Sequence, residues 1–439
     1  MSTAVLPQRW RRVIQGHEPT RIAGRVVGSR GLMLTCRLPA AVHDRCEILT
    51  GRDSVCLAEV VGFANDLAYL FTYEHSDQVR PNMLVVNRGH GVQVPTGPGL
   101  LGRVIDGIGR PMDDRGPLVG CRFETQQLAA PLPLRRTRIR NVFRTGMRAI
   151  DGLLTLGRGQ RVGIFSGSGV GKSTLLGDIA KGADADINVI ALVGERGSEV
   201  KPFIEDCLGE GLARSVVVVA TSDEPPLMRV RAAQMALAVA DAYRDQGKHV
   251  LLMVDSLTRL AMAQRQIGIA LGEPPSARSY TPSVFQLLAN FVECMGNADR
   301  GSITGILTVL VDGDDFDEPI TDAVRSYVDG HIMLDRRLGE MGHFPAINVG
   351  QSVSRVMHDV TESAHQDAAR KLRAVLATYA QAEDLIRIGA YVKGSVPAID
   401  KAIELRDAMT SWLRQAKGQR VSFAQTRESM DRIAAAWNF

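Results

Sequence analysis

No uninterrupted apolar run in this 439-residue chain approaches the roughly 18 residues that a bilayer-spanning helix requires. Residues 1–15 likewise lack the apolar core of a secretory signal and carry Arg9, Arg11 and Arg12 instead. Neither sign of charge dominates. Lys+Arg is 52 against Asp+Glu 48, a formal net charge of +4, which is weak grounds for a nucleic-acid binder with its concentrated positive face. The six cysteines include no Cys-x-x-Cys pair and no His at metal-ligand spacing, so they read as small buried hydrophobes in a reducing compartment. Aromatic residues are only 5%, yet the hydrophobic fraction of 45% excludes a mainly disordered chain. These absences predict a soluble, cytoplasmic, multidomain protein.

What is present divides into three patterns. Residues 20–95 hold short β-rich runs, among them Arg21–Gly28, Gly31–Cys36, Val55–Gly62 and Leu67–Tyr73, whose close spacing predicts a small β-barrel or sandwich. After the Gly- and Pro-punctuated stretch at 95–102, residues 96–360 alternate almost continuously apolar strands with helical segments. Such strands suit a sheet buried on both faces, and the alternation predicts an α/β fold with a mainly parallel sheet. Residues 361–439 read as helices at 366–388, 398–415 and 423–436. At 1–19, Leu6, Trp10, Val13 and Ile14 fall near helical spacing, which fits a docking helix or equally a frayed end with one anchoring Trp.

The chemistry concentrates at 166–174, Ser-Gly-Ser-Gly-Val-Gly-Lys-Ser-Thr, between a strand and a helical run. Gly167, Gly169 and Gly171, with Ser168 and Val170 between them, let backbone N–H groups curl around one anion, and the next helix aims its positive end there. Lys172 then meets the β- and γ-phosphates, and the hydroxyl of Ser173, followed by Thr174, is placed to ligate Mg²⁺. One departure stands out: Ser166 occupies the first glycine position of the motif. Asp255, closing the apolar strand that starts at His249, is the candidate second magnesium group, with helix capping as its other reading. Glu195 stands at the end of another strand, where ligands bind in open α/β sheets. It is assigned as the base that deprotonates the attacking water, with Glu199 supporting the magnesium water shell; a solvated surface turn is the other reading.

Gly-Glu-Arg-Gly at 194–197, Val-Asp-Ser-Leu-Thr-Arg at 254–259, Gly-Glu-Pro-Pro at 272–275 and Gly-Gln-Ser-Val-Ser-Arg-Val at 350–356 resemble the rotary ATP synthase and type III secretion ATPase superfamily. The likeness extends to Leu-Gly-Arg-Val-Ile-Asp-Gly at 101–107, Thr-Gly-Met-Arg-Ala-Ile-Asp at 145–151 and Val-Asp-Gly-Asp-Asp at 311–315. Ala-Met-Ala-Gln-Arg-Gln-Ile-Gly at 261–268 and Arg-Ile-Gly-Ala-Tyr at 387–391, with the phosphate loop, resemble its flagellum-specific export branch most closely. Ser198 replaces an Arg usual in that family.

The resemblance implies a RecA-like P-loop core preceded by a small β-barrel and followed by a helical domain. It implies ATP and Mg²⁺ as substrate and cofactor, and a homohexameric ring with sites between subunits. By the same resemblance Arg196 and Arg259 lie around the γ-phosphate, and Arg355 is an arginine finger delivered to the neighbouring subunit. Phe344 stacks on adenine, with Tyr391 a second candidate for that pocket. Expected partners are a stator-like regulator, an export gate, chaperones and exported proteins, with peripheral contact at the cytoplasmic face of the inner membrane. Three alternatives share the core. An injectisome ATPase has the same chemistry on another machine. A rotary synthase subunit lacks support because no acidic Asp-Glu-Leu-Ser-Glu-Glu-Asp-like segment occurs; a non-catalytic subunit would lack Glu195. A nucleic-acid translocase would need aromatic platforms, whereas Tyr69, Phe71 and Tyr73 alternate along one strand as a packed face does, with Phe63 apart from them.

Overall fold

A computed structural model describes residues 22–51, 54–89, 91–125, 128–311, 315 and 317–439. The segment 1–19, with its docking-helix expectation, and Asp312–Asp314 of the acidic motif lie outside the described residues. Six strands close a barrel: β1 (Ile22–Arg30), β2 (Met33–Arg37), β3 (Arg45–Leu49), β4 (Val55–Ala64), β5 (Leu67–Thr72) and β6 (Leu84–Asn87), in the order β1-β2-β5-β4-β3-β6. Alternation drives it. Leu34, Cys36, Cys46, Ile48, Ala58 and Leu70 point inward and are fully buried, while the intervening residues face outward. Burial pushes the Cys36 and Cys46 thiols up to about 12, so at neutral pH they are inert filler.

The central sheet is built from β7 (Val104–Asp106), β8 (Arg161–Ser166), β9 (Ile187–Glu195), β10 (Ser215–Thr221), β11 (His249–Asp255), β12 (Ser302–Leu310), β13 (Gly330–Leu334) and β14 (Ile347–Ser354). Their order is β14-β13-β8-β12-β11-β9-β10-β7, with Gly296–Asn297 pairing beside β12 to complete nine strands. β14 runs antiparallel to β13, and the seven strands from β13 to β7 run parallel. In β9, Val189, Ala191 and Val193 face one hydrophobic core and Ile190 and Leu192 the other. That two-sided burial is why the strand reads as an unbroken apolar run.

Helices α1 (Lys172–Gly182), α2 (Pro226–Asp245) and α3 (Leu257–Ala270) cover the sheet. The chain ends in α4 (Ser363–Arg387), α5 (Pro397–Leu413) and α6 (Phe423–Ala434), which pack through Leu372, Met409, Trp412 and Met430 against Ile150 and Leu153. Barrel and core meet at a buried polar seam. Glu59 accepts hydrogen bonds from Tyr73 Oη at 2.6 Å and from Arg231 of α2 at 2.7 Å, and contacts His43 Nδ1 at 2.9 Å. Phe71 and Tyr73 are buried in the same seam, whereas Phe63 is exposed. Among the described residues no helix is long and apolar enough to cross a membrane.

Candidate active site

β8 ends at Ser166, β9 at Glu195 and β11 at Asp255, so three polar side chains open onto one carboxyl edge of the sheet. The loop 167–171 follows Ser166 and leads into α1. Gly169 and Gly171 take φ of 79° and 83°, left-handed backbone that glycine tolerates without a Cβ penalty. No side chain caps α1 and no acidic residue stands in its first turn, which leaves its N-terminal amides for an anion.

Lys172 reaches back across the edge, its Nζ donating to Asp255 Oδ1 at 2.5 Å and lying 3.7 Å from Glu195 Oε1. Thr308 Oγ1 donates to the same Asp255 oxygen at 2.7 Å, so Asp255, buried at 3% exposure, is held from helix α1 and from strand β12. Glu195 is treated differently. Its Oε1 is buried without a hydrogen-bond partner. Burial and the neighbouring Asp255 raise its pKa, and the cations Lys172 and Arg259 only partly offset them.

Arg259 sits in the first turn of α3, where its backbone N–H is capped by Ser256 Oγ at 3.3 Å. It packs over Gly194, where an added Cβ would fall 2.9 Å from the Arg259 Cβ; glycine is what lets helix and strand approach. Arg259 Nε and Ser166 Oγ are also buried and unpaired. An unsatisfied buried polar atom costs about 1–3 kcal/mol, and these three share one sheet edge. Such atoms gain their missing partners when a polar ligand binds.

Beside α1 lies a cavity of about 580 Å³ lined by Met147, Gly171, Thr174, Phe344, Gln415 and Lys417. The Phe344 ring stands over the phosphate loop, 3.3 Å from where a Gly171 Cβ would be. The opening is wide enough for a planar heterocycle, with an aromatic face as one wall.

A model of the ATP synthase alpha/beta family nucleotide-binding domain matches residues 146–354, and one of the T3SS EscN ATPase C-terminal domain matches residues 361–432. The flagellum-specific ATP synthase of Bacillus subtilis (strain 168) is 50% identical over 396 residues, 89% of this chain and 90% of that protein. The type 3 secretion system ATPase of Xanthomonas euvesicatoria is 45% identical over 414 residues, 93% of each. The assembled ATPase EscN of the enteropathogenic E. coli type III secretion system matches with a TM-score of 0.88 at 45% identity, over 94% of this chain and 100% of that one. The chain belongs to the ATP synthase alpha/beta family, on its type III secretion branch.

In this type III secretion ATPase the structure brings Lys172, Ser173, Glu195, Asp255 and Arg259 to one edge, with Phe344 beside the loop. Arg196 and Glu199 stand outside this edge, although Glu199 is near enough for its charge to add to the rise in the Glu195 pKa. Beyond Glu195 the chain turns into a short helix, Gly197–Pro202, and Ser222 N–H holds the Glu195 carbonyl at 2.9 Å. Arg196 and Glu199, 3.9 Å apart with side chains 79% and 53% exposed, therefore face solvent rather than the phosphate loop. Tyr391 is also placed elsewhere. It lies between α4 and α5, donating from its hydroxyl to Val396 O at 3.1 Å and Asp400 Oδ1 at 3.0 Å, and does not line the cavity.

Arg355 is exposed at the opposite edge. Its N–H donates to Asp329 O, and Asp329 N–H to Arg161 O at the start of β8, so it lies about one strand length, roughly 17–20 Å, from the loop of its own chain. Gln415 and Lys417 escaped the sequence reading. They follow α5 in a segment whose neighbours, Gly146 and Arg148, lie more than 260 residues away in the chain, and no local pattern signals such a contact.

Proposed function

We propose that this ATPase splits ATP into ADP and phosphate at the Lys172–Glu195–Asp255 edge, as the ATPase of a flagellar type III export apparatus. The observation that carries the chemistry is Glu195: a carboxylate with one buried oxygen that has no hydrogen-bond partner and lies 3.7 Å from the phosphate-loop lysine. The triphosphate is cradled by the amides of residues 167–174, and Lys172 exchanges Asp255 for the β- and γ-phosphates. Glu195 orients a water and takes its proton as the water oxygen attacks the γ-phosphorus in line. The bond to the β–γ bridging oxygen breaks, ADP carries away the electron pair, and the proton passes from Glu195 to solvent. Arg259, its Nε free of protein partners, steadies charge on the γ-oxygens. Phe344 holds the base.

Mg²⁺ fits the donor set. Ser173 and Asp255 offer a hydroxyl and a carboxylate, and among the described residues no cluster of three His, Cys, Asp or Glu groups forms an all-protein cage; magnesium prefers one or two protein oxygens plus phosphates and water. When bound it neutralises the charge of the β- and γ-phosphates.

Arg355 completes the site in trans, which its place at the far edge supports, within a homohexameric ring of the kind suggested by the assembled EscN structure. EscN is also known in complex with its central stalk EscO, and we infer a stalk-like regulator here, together with an export gate, chaperones and exported polypeptides, at the cytoplasmic face of the membrane. Relatives named flagellum-specific span 43% to 50% identity and those named type 3 secretion system ATPase 42% to 45%, and the upper end of the first range supports the flagellar reading. The test is Glu195→Gln: steady-state hydrolysis should fall by about 10²–10⁴ while ATP still binds. Turnover within threefold of the wild type would overturn the assignment.

A further inference from the structure

Gln415 is buried in the segment between α5 and α6 and spends its whole amide on protein. Its Oε1 accepts from Arg148 N–H at 3.0 Å, and its Nε2 donates to Gly146 O at 2.8 Å and Gln419 O at 2.6 Å. Its own backbone N–H donates to Phe344 O at 2.9 Å. Three segments distant in sequence thereby meet at one residue: its side chain joins the turn before the helix Arg148–Leu153 to the entry to α6, and its backbone N–H ties in the Phe344 loop. The first turn and the Phe344 loop contribute walls to the 580 Å³ cavity, as do Gln415, Ala416 and Lys417 themselves. Gly418 N–H adds a tie to Asp178 Oδ1 of α1 at 3.1 Å, so the same segment also grips the helix that follows the phosphate loop.

We propose that Gln415 is a positioning residue for the base of ATP, setting the gap between the Phe344 ring and the wall formed by residues 415–417. The inference rests on the reading of this cavity as the base site. Gln415 does not read the base, because both its donors and its carbonyl already have protein partners. Its side chain acts through the 146–148 turn and Gln419, which fix the residue whose backbone N–H holds the Phe344 carbonyl. The phosphate-loop lysine and Glu195 are not among its contacts, so loosening it changes how well the nucleotide is held and not how fast the bound nucleotide reacts. The helical domain is consequently wired into nucleotide affinity through one side chain.

The experiment compares Gln415→Met, which keeps length, approximate volume and the backbone bond to Phe344 O but removes all four side-chain hydrogen bonds, including the long one to Met147 Sδ, with Gln419→Ala, an exposed position that removes only the acceptor for Ala416 N–H at 3.1 Å. Turnover against ATP concentration is measured on full-length protein, with thermal melting as the check on folding. Gln415→Met should raise KM about tenfold or more with kcat within twofold of the wild type, and Gln419→Ala should raise KM about two- to threefold. If Gln415→Met keeps the wild-type KM, or loses kcat without a change in KM, the inference is overturned. Should Gln415→Met fail to melt cooperatively, the decision passes to Gln419→Ala, for which an unchanged KM overturns it. A wild-type protein that does not hydrolyse ATP would refute the ATPase reading instead.

Discussion

Glu59 and Glu195 both carry a carboxylate into the protein, one where the barrel meets α2 and the other where β9 ends beside Lys172. Glu59 is more deeply buried, yet Tyr73, Arg231 and His43 surround both of its oxygens. Although burial pushes its pKa up, hydrogen bonds from His43, Arg231 and Tyr73 hold it below the usual carboxylate range. Glu195 is more accessible but left open on one oxygen, and its pKa is raised. The fold therefore satisfies Glu59 at the joint between domains and leaves Glu195 wanting at the sheet edge. A buried charge becomes informative about function when its partner is missing rather than when it is merely buried.

The sharpest way to extend that contrast is Arg355, a cation set at the edge opposite the open carboxylate. Arg355→Ala should bind ATP and assemble, yet lose about 10³–10⁵ in kcat, the usual worth of an arginine finger. Specific activity of the wild type should also rise with protein concentration as neighbours meet. Near-normal turnover in assembled Arg355→Ala would mean that the open edge is completed within one chain.

Breaking the seam should do the reverse. Arg231→Met leaves Glu59 buried without its cation, and separating such a pair costs about 3–5 kcal/mol. A lowered melting temperature with little change in kcat per folded molecule is the expected result. A mutant that melts normally but turns over slowly would instead make the seam part of the catalytic machinery.

A pH series separates the two carboxylates by sign. A folded-state pKa raised above the ordinary glutamate value of about 4.3 means that the folded state binds the extra proton, so stability is lost as pH rises from that value through the raised one. Glu195→Gln should therefore melt at or above the wild-type temperature at pH 8, with the advantage shrinking toward pH 5. Glu59, with its pKa lowered, contributes stability that is present above about 4.3 and is lost as pH falls through its folded-state pKa. The acid limb of kcat/KM should also lie above the ordinary carboxylate range, since Glu195 must be ionised to accept a proton. An acid limb near 4.3 would break the comparison.

Legibility followed the same division. β8 to β12 were readable because burial on both faces makes their sequences continuously apolar, and the phosphate loop was readable because its glycines and lysine are contiguous. β3, Arg-Cys-Glu-Ile-Leu, hid behind its charged outward face, and β14, Ile-Asn-Val-Gly-Gln-Ser-Val-Ser, behind the polar residues of an exposed edge strand. Gln415 was invisible because its meaning lies in contacts across more than 260 residues. Tyr391 was drawn toward the pocket by its motif, whereas its hydroxyl is occupied by Val396 and Asp400.

Glu199 offers the smallest effect and the finest test of the contrast. It lies four residues beyond Glu195, and a carboxylate so near a phosphate loop invites a magnesium role. Yet the turn into Gly197–Pro202 carries it outward, where its neighbour is Arg196 at 3.9 Å and both side chains are mostly in water. Exposed pairs of this kind contribute about 0–1 kcal/mol, and water around its exposed side chain leaves Glu199 no unmet demand of the sort that marks Glu195. Glu199→Gln should then change kcat by less than about threefold and leave the magnesium dependence of turnover where it was. A tenfold higher magnesium requirement would show that the 196–199 turn closes over the nucleotide, and that an exposed carboxylate had been counted on the wrong side of the comparison.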